Sequence, residues 1–288
     1  MTEFQLDFNG YHLDLGSRAC IMGILNATPD SFSDGGKFHT FDNAVAQGLH
    51  LAEEGAHILD IGGESTRPFA EPVPEQEEMD RVVPVIEALS KRIDIPISID
   101  TVKSKVAAAA LDAGESIIND VSAFELDPAM ADLAAARQVP VVFMHMKGTP
   151  ETMQVNPSYD DLMAEITQYL AQRAELAVSK GIPREFIILD PGIGFGKTVH
   201  HNLVLINCLD KVTALGFPVL MGPSRKSFIQ NLLGKAFDRK IGPDNEKTEY
   251  GTMGAVAACL ERGAHIVRVH DVAKVRSMTQ IMDAVRNA

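Results

Sequence analysis

The sequence predicts an α/β fold, a (β/α)₈ barrel of the TIM type with a short N-terminal β-hairpin. Three observations predict it. Short β-branched runs alternate strictly with longer amphipathic stretches, which calls for a parallel sheet covered by helices. Eight such runs fit in 288 residues, at about 36 residues per strand–helix unit, which suits a closed barrel. No dinucleotide-binding glycine fingerprint follows the first barrel run, which argues against the rival, a doubly wound open sheet. The whole chain, 1–288, reads as a single domain, since barrels of about 250 residues commonly form one.

Phe4–Phe8 and Tyr11–Leu15 alternate as the two strands of the hairpin, which precedes or plugs the barrel. Barrel strands are expected at Cys20–Leu25, His57–Ile61, Ile95–Ile99, Ser116–Ile118, Val139–Met144, Phe186–Leu189, Pro218–Met221 and His265–Val269. Each is short and apolar, as strands buried on both faces should be. Helical spacing of apolar residues predicts Phe41–Glu54, Glu75–Ile93, Val102–Ala113, Pro128–Arg137, Tyr159–Lys180, His201–Leu215, Lys226–Leu233, Tyr250–Arg262 and Ala273–Val285. A glycine follows several of these stretches, for example Gly114 and Gly263, where a helix C-cap belongs.

Composition narrows the function. The chain is 45% hydrophobic and 23% charged, an ordinary globular mix. Its net charge is −13, which opposes general binding to nucleic acid or to an anionic membrane. Any anion site must therefore be local, built from a few placed cations. Cys20, Cys208 and Cys259 are far apart and odd in number, so they are expected as free thiols in a reducing compartment. Met1-Thr2-Glu3-Phe4 has no basic stretch leading into an apolar one, and no run is long enough to span a membrane, so a cytoplasmic location is expected. His200 and His201 are adjacent rather than four apart and make no zinc pair.

Polar residues stand at the ends of the predicted strands: Asn26, Glu64, Asp100, Asn119, His145, Asp190, Ser224 with Lys226, and Arg268 with His270. In a barrel these converge on the C-terminal mouth, where chemistry is placed. Asp120, Asp127 and Asp271 read instead as caps of the helices that follow them. A buried carboxylate at Asp190 needs donors, and a heterocycle with adjacent ring N–H and exocyclic amine would supply them. Asn119 offers both donor and acceptor to the same ring. Arg67, in the loop GGESTRP, suits bidentate capture of phosphate or carboxylate. In GPSRKS, Ser224 reads as a helix N-cap followed by Arg225 and Lys226 in the first turn, where cations oppose the helix dipole unless an anion or polar ligand offsets them. Arg268 and His270 are two apart and share one face of a strand end, which suggests an oxyanion site. DPGIGFGK, from Asp190, misses the phosphate-loop pattern at Pro191 and the dinucleotide pattern at Lys197.

Taken together these segments resemble the dihydropteroate synthase family of pterin-binding enzymes. The likeness runs from about Cys20 to the C-terminus and rests on an ordered set. The set comprises NATPDSFSDGG from Asn26, GGESTRP from Gly62, Ser98–Asp100, Asn119–Asp120, MHMKGTPETMQ from Met144, DPGIGFGK from Asp190, Ser224–Ser227 and RVHDV from Arg268. The resemblance implies a transferase of folate biosynthesis, usually a homodimer and a sulfonamide target. Its substrates are 6-hydroxymethyl-7,8-dihydropterin diphosphate and 4-aminobenzoate; its products are 7,8-dihydropteroate and diphosphate. It implies a pterin site of Asp100, Asn119, Asp190, Lys226 and Arg268, and a diphosphate site of Asn26, Arg67, Arg268 and His270. Thr66, Arg67, Pro68, Phe195 and Ser227 would form the aminobenzoate pocket. Asp100, Lys226 and Arg268 would carry the chemistry, and a Mg²⁺ ion would bridge Asn26 and the diphosphate.

Two positions depart from the family pattern. Phe69 follows STRP where glycine is frequent, beside the expected aminobenzoate pocket, and Ala27 replaces a frequent β-branched residue. The polar stretch Asp238–Lys247 is assigned no role. Two other readings share the pterin set: a methyltransferase domain that serves a corrinoid protein, and a pterin-binding protein without chemistry. Neither needs the diphosphate cradle of Arg67, Arg268 and His270.

Overall fold

The computed structural model describes residues 3–28, 37–65, 72–114, 116–149, 152–286 and 288, with the side chains of 37–40 outside that set. The chain opens with β1 (Phe4–Phe8) and β2 (Tyr11–Leu15), an antiparallel hairpin at the bounds its alternation predicts. Eight parallel strands follow: β3 (Cys20–Asn26), β4 (Ile58–Gly62), β5 (Ile97–Asp100), β6 (Ile117–Asp120), β7 (Val141–Met144), β8 (Ile187–Asp190), β9 (Leu220–Met221) and β10 (Ile266–Val269). The helices are α1 (Lys37–Glu53), α2 (Glu75–Ser90), α3 (Ser104–Asp112), α4 (Ala129–Arg137), α5 (Leu162–Ser179), α6 (Val199–Asn207), α7 (Asp210–Thr213), α8 (Ser227–Ala236), α9 (Glu246–Glu261) and α10 (Val272–Arg286).

The strands lie in the order β8-β7-β6-β5-β4-β3-β10-β9. A bridge between Leu189 and Val219 joins β8 to the segment entering β9 and closes the cylinder. Alternation sorts the side chains. Along β4, Leu59 and Ile61 pack outward against the helices, while Ile58 points into the barrel. Inside, Met22, Ile58, Ile117, Val142, Ile188 and Ile266 form an apolar layer with Leu6, Phe8, Leu13 and Leu15 of the hairpin. The hairpin thus fills the N-terminal mouth with hydrocarbon and leaves chemistry to the other end. Among the described residues, no helix is long and apolar enough to cross a membrane.

Several local expectations are met. Gly114 and Gly263 take φ of +113° and +99° after α3 and α9. Asp127 accepts from the Ser104 and Ala129 amides, and Asp271 from that of Lys274, so both acids serve helix starts. One expected helix is divided. The stretch His201–Leu215 is not a single helix but α6 and α7, broken at Cys208 and Leu209. Leu209 and Val212 are fully buried, so the break lets α7 turn its apolar residues into the core.

Candidate active site

Asp100 ends β5 and pairs in register with Asn119 of β6 on one side and with Gly62 of β4 on the other. Both side chains are buried. Arg268 reaches across from β10. Its Nε donates to Asp60 Oδ2 at 2.5 Å and its Nη2 to Asp100 Oδ2 at 2.8 Å. Asp60 also accepts from Asn119 Nδ2, at 3.2 Å through Oδ2. One layer below the mouth, then, a buried acid orients an arginine and an amide together. Burial works against the Arg268 charge, but Asp60 and Asp100 overcome it and hold the guanidinium more firmly protonated than usual. Burial pushes the Asp100 carboxyl upward, with Asp60 adding to the shift and Arg268 opposing it.

Asp190 ends β8, in register with Met144. Its Oδ1 accepts from the Gly192 amide at 2.7 Å. Burial raises its pKa to about 6, against the pull of that amide and of the Lys226 charge. Phe195, in the loop after β8, is buried with Val121, Met144 and Met153. The Lys226 ammonium lies over its ring, 4.0 Å from the centroid. The pair is a cation–π contact at the rim of the barrel.

The GPSRKS turn differs from expectation. The helix starts at Ser227, so Lys226 is the N-cap residue, extended at φ −70° and ψ 150°. Ser224 is not the cap. Its Oγ meets His270 Nδ1 at 2.9 Å and accepts from the His270 amide at 3.3 Å, so it fixes the imidazole. Arg225 is not a first-turn cation either. At φ +56° it turns its side chain toward α9, where Glu249 and Asp244 neutralise it. The expected opposition to the helix dipole is absent because neither cation lies inside the first turn. Asp244 belongs to the polar stretch that had no assigned role.

Two members of the expected polar ring have other duties. Glu64 binds Lys103 Nζ at 2.7 Å and the Val73 amide at 2.9 Å. His145 is buried and joins Lys197 Nζ through Nδ1 at 3.1 Å. Asp120 is buried and, instead of capping the next helix, ties down the turn after β6 by accepting from Ser122 and Phe124, with α4 beginning only at Ala129. Asn26, half-buried at the end of β3, stands in register with Gly62. Ser227 is exposed at the start of α8. Thr66, Arg67, Pro68 and Phe69 lie outside the described residues.

The structure brings Asp100, Asn119 and Arg268 into one network, and Lys226 onto Phe195. Sequence reasoning missed Asp60, which has the clearest signal: an acid alone inside the apolar run HILDIG. It also passed over Lys197, which it used only to reject a motif.

Comparison with known proteins identifies the family. The profile of the family described as "Pterin binding enzyme" matches residues 22–270. The dihydropteroate synthase of Synechocystis sp. is 46% identical over 94% of this chain and 92% of its own length. The crystal structure of the Yersinia pestis dihydropteroate synthase with a sulfonamide drug complex superposes with a TM-score of 0.91 at 42% identity, covering 99% of this chain and 100% of that one. The Xanthomonas albilineans dihydropteroate synthase with 4-aminobenzoic acid gives 0.90 at 44% identity over 100% of both chains.

Proposed function

The chain belongs to the pterin-binding enzyme family, and on that premise we propose that it is a transferase joining 6-hydroxymethyl-7,8-dihydropterin diphosphate to 4-aminobenzoate, with release of diphosphate and formation of 7,8-dihydropteroate. The observation that carries this reading is the pairing of acids and cations at one barrel mouth. Asp100, bonded to Arg268, and Asp190 end two strands of one sheet, with Lys226 acting electrostatically on both.

The residues divide the work. Asp190 accepts from the pterin ring N–H and exocyclic amine, which requires its ionised form, the major one at pH 7 for a group titrating near 6. Asn119, oriented by Asp60, bonds the same ring. Arg268 stacks on the pterin with its plane set by two carboxylates, and contributes to the diphosphate site. Asn26, Arg67 and His270 complete that site, His270 being aimed by Ser224. Thr66, Arg67, Pro68, Phe195 and Ser227 receive the aminobenzoate.

Departure of diphosphate leaves positive charge on the pterin methylene. A carboxylate at Asp100 stabilises that charge, while Arg67, Arg268 and His270 stabilise the departing anion. The attacking aromatic amine is neutral at pH 7, so the site needs no strong base. Lys226 holds the pterin from the opposite side, seated on Phe195.

A Mg²⁺ ion fits the donor set. Asn26 offers a hard oxygen at a half-buried strand end, and the described residues form no cage of three or more His, Cys, Asp or Glu. Magnesium takes few protein ligands and completes its shell with phosphate oxygens and water. When bound it would stabilise the charge of the leaving diphosphate.

The same proposal includes a homodimer. α6, α8 and α9 leave an apolar groove of about 340 Å³ lined by Leu203, Phe228, Leu232 and Leu233, with Leu203 and Leu232 exposed. Gly254, Ala255 and Ala258 on α9 line it too and would let a second copy approach closely. Cytoplasmic location is supported by Cys20, Cys208 and Cys259, all free thiols. The deciding assay mixes protein, pterin diphosphate, 4-aminobenzoate and Mg²⁺. Equal appearance of dihydropteroate and diphosphate, lost on omitting Mg²⁺, is expected; pterin binding without product would overturn the reading.

A further inference from the structure

We propose that Lys197 is a positioning residue for the second substrate. Its buried ammonium pins the loop after β8 to the end of β7 and so fixes Phe195, the ring that carries Lys226. The proposal rests on the preceding reading of Phe195 as part of the aminobenzoate pocket.

Lys197 is 3% exposed, the one buried lysine among the described residues. An ammonium has three donors, and here all three find acceptors. They are His145 Nδ1 at 3.1 Å, the His145 carbonyl at 3.3 Å and the Phe195 carbonyl at 3.0 Å. Among the described residues it forms no ion pair. Burial lowers its pKa to about 7, with the Asp190 charge opposing the shift only in part, so the fold holds this amine at a cost. A methionine would occupy the same space without that cost, which argues that the donors are kept for what they hold.

They hold a loop that cannot be held by hydrophobic packing alone. Its backbone is pressed against residues 145–147. A Cβ on Gly192 would lie 1.9 Å from the His145 carbonyl oxygen, and one on Gly196 2.4 Å from that of Lys147. Both glycines have positive φ, +75° and +64°. Four consecutive carbonyls, Gly194 to Lys197, accept from side chains. Gln154 binds Gly194 at 2.7 Å, Lys197 binds Phe195, Tyr159 binds Gly196 at 2.8 Å and Asn202 reaches Lys197 at 3.5 Å. Only at Phe195 is the donor an amine rather than a neutral amide or hydroxyl. That bond falls on the residue whose ring carries Lys226. Burial lowers the His145 pKa to about 3, so its ring is neutral and Nδ1 is free to accept.

Shifting Phe195 moves a wall of the aminobenzoate pocket directly, whereas the pterin side feels the change only through Lys226 on that ring and through a weaker field at Asp190, which with Asn119 keeps its own hydrogen-bond partners. The expected signature is therefore a split between the two substrates. Lys197→Met should raise KM for 4-aminobenzoate about tenfold or more, with the pterin diphosphate Kd from calorimetry weakened by a clearly smaller factor, about threefold or less. His145→Phe, which keeps the ring packed on Tyr169 but removes one of the three acceptors, should shift the same KM in the same direction by less. If Lys197→Met does not fold, His145→Phe decides by the same two numbers. An unchanged KM for aminobenzoate, or equal losses for both substrates, overturns the positioning role. Absence of turnover in the unaltered protein is a separate outcome: it removes the parent reading and this proposal with it, whereas normal turnover beside an unmoved KM removes this proposal alone.

Discussion

Arg268 and Asp60 meet inside the barrel, Nε to Oδ2 at 2.5 Å, across 208 residues of chain. Asp60 is fully buried and serves Asn119 as well. Asp60→Ala leaves the arginine to Asp100 alone and frees the amide. We expect a loss of about 3–5 kcal/mol in stability, as for other broken buried pairs. Pterin affinity should fall with it, because both Arg268 and Asn119 lose their aim. Urea unfolding and calorimetry check the two effects; a stable variant with intact pterin binding would show that Asp60 merely fills space.

Asp190 gives a pH dependence with a definite sign. Its pKa is raised to about 6 by burial, above that of an unfolded chain. The folded state therefore binds this proton more tightly, and the group's contribution to stability falls as pH rises through the window from about 4 to about 6. Ligand binding runs the other way. The pterin donors need the carboxylate, so affinity should drop as pH falls below about 6. Asp190→Asn should lower affinity at neutral pH with the fold intact. Affinity independent of pH between about 5 and about 8 would separate Asp190 from the pterin.

Lys103 bridges Glu64 and Glu78 and also binds the Val73 carbonyl at 2.7 Å. Glu78 is fully buried; Lys103 bonds its Oε2, and its Oε1 has no hydrogen-bond partner among the described residues. Lys103→Met strands that carboxylate, at an expected cost of about 3–5 kcal/mol. The segment between Glu64 and Val73 carries Arg67, so KM for the diphosphate substrate should rise as well. A melting temperature equal to that of the unaltered protein would contradict the clamp.

Arg225 and Lys226 are neighbours with separate tasks. Arg225→Ala removes the partner of Glu249 and should cost about 1–3 kcal/mol in stability, leaving both KM values unchanged. Lys226→Ala should do the reverse, impairing pterin binding and turnover with little change in stability. Steady-state kinetics beside thermal melts separates the two; near-normal activity of the Lys226 variant would refute its role.

Much of this was legible in the sequence. The hairpin bounds follow from two-residue alternation, and the eight strands from apolar runs punctuated by glycine and polar ends. Asp100, Asn119 and Asp190 were found because a polar residue ending an apolar strand has few structural uses. Asp60 and Lys197 escaped because their roles depend on depth. A carboxylate one pleat below the rim, or an amine folded under its own loop, has no signature until the strands are closed into a ring. The same holds for Arg225. Its sequence neighbours suggested an exposed helix start, and only the packing of α9 shows where its charge is spent.

The closing bridge between Leu189 and Val219 has a mechanical consequence. β9 is only two residues long, and the cylinder is sewn there by that bridge and by the Leu189 amide on the Pro218 carbonyl at 2.9 Å. Asp190 stands on one side of this seam, while Ser224 and Lys226 follow β9 on the other. The span from Asp190 to Lys226 thus crosses a junction with fewer backbone rungs than the β3–β4 junction. A ring gripped between those two residues would be held across the clasp of the barrel.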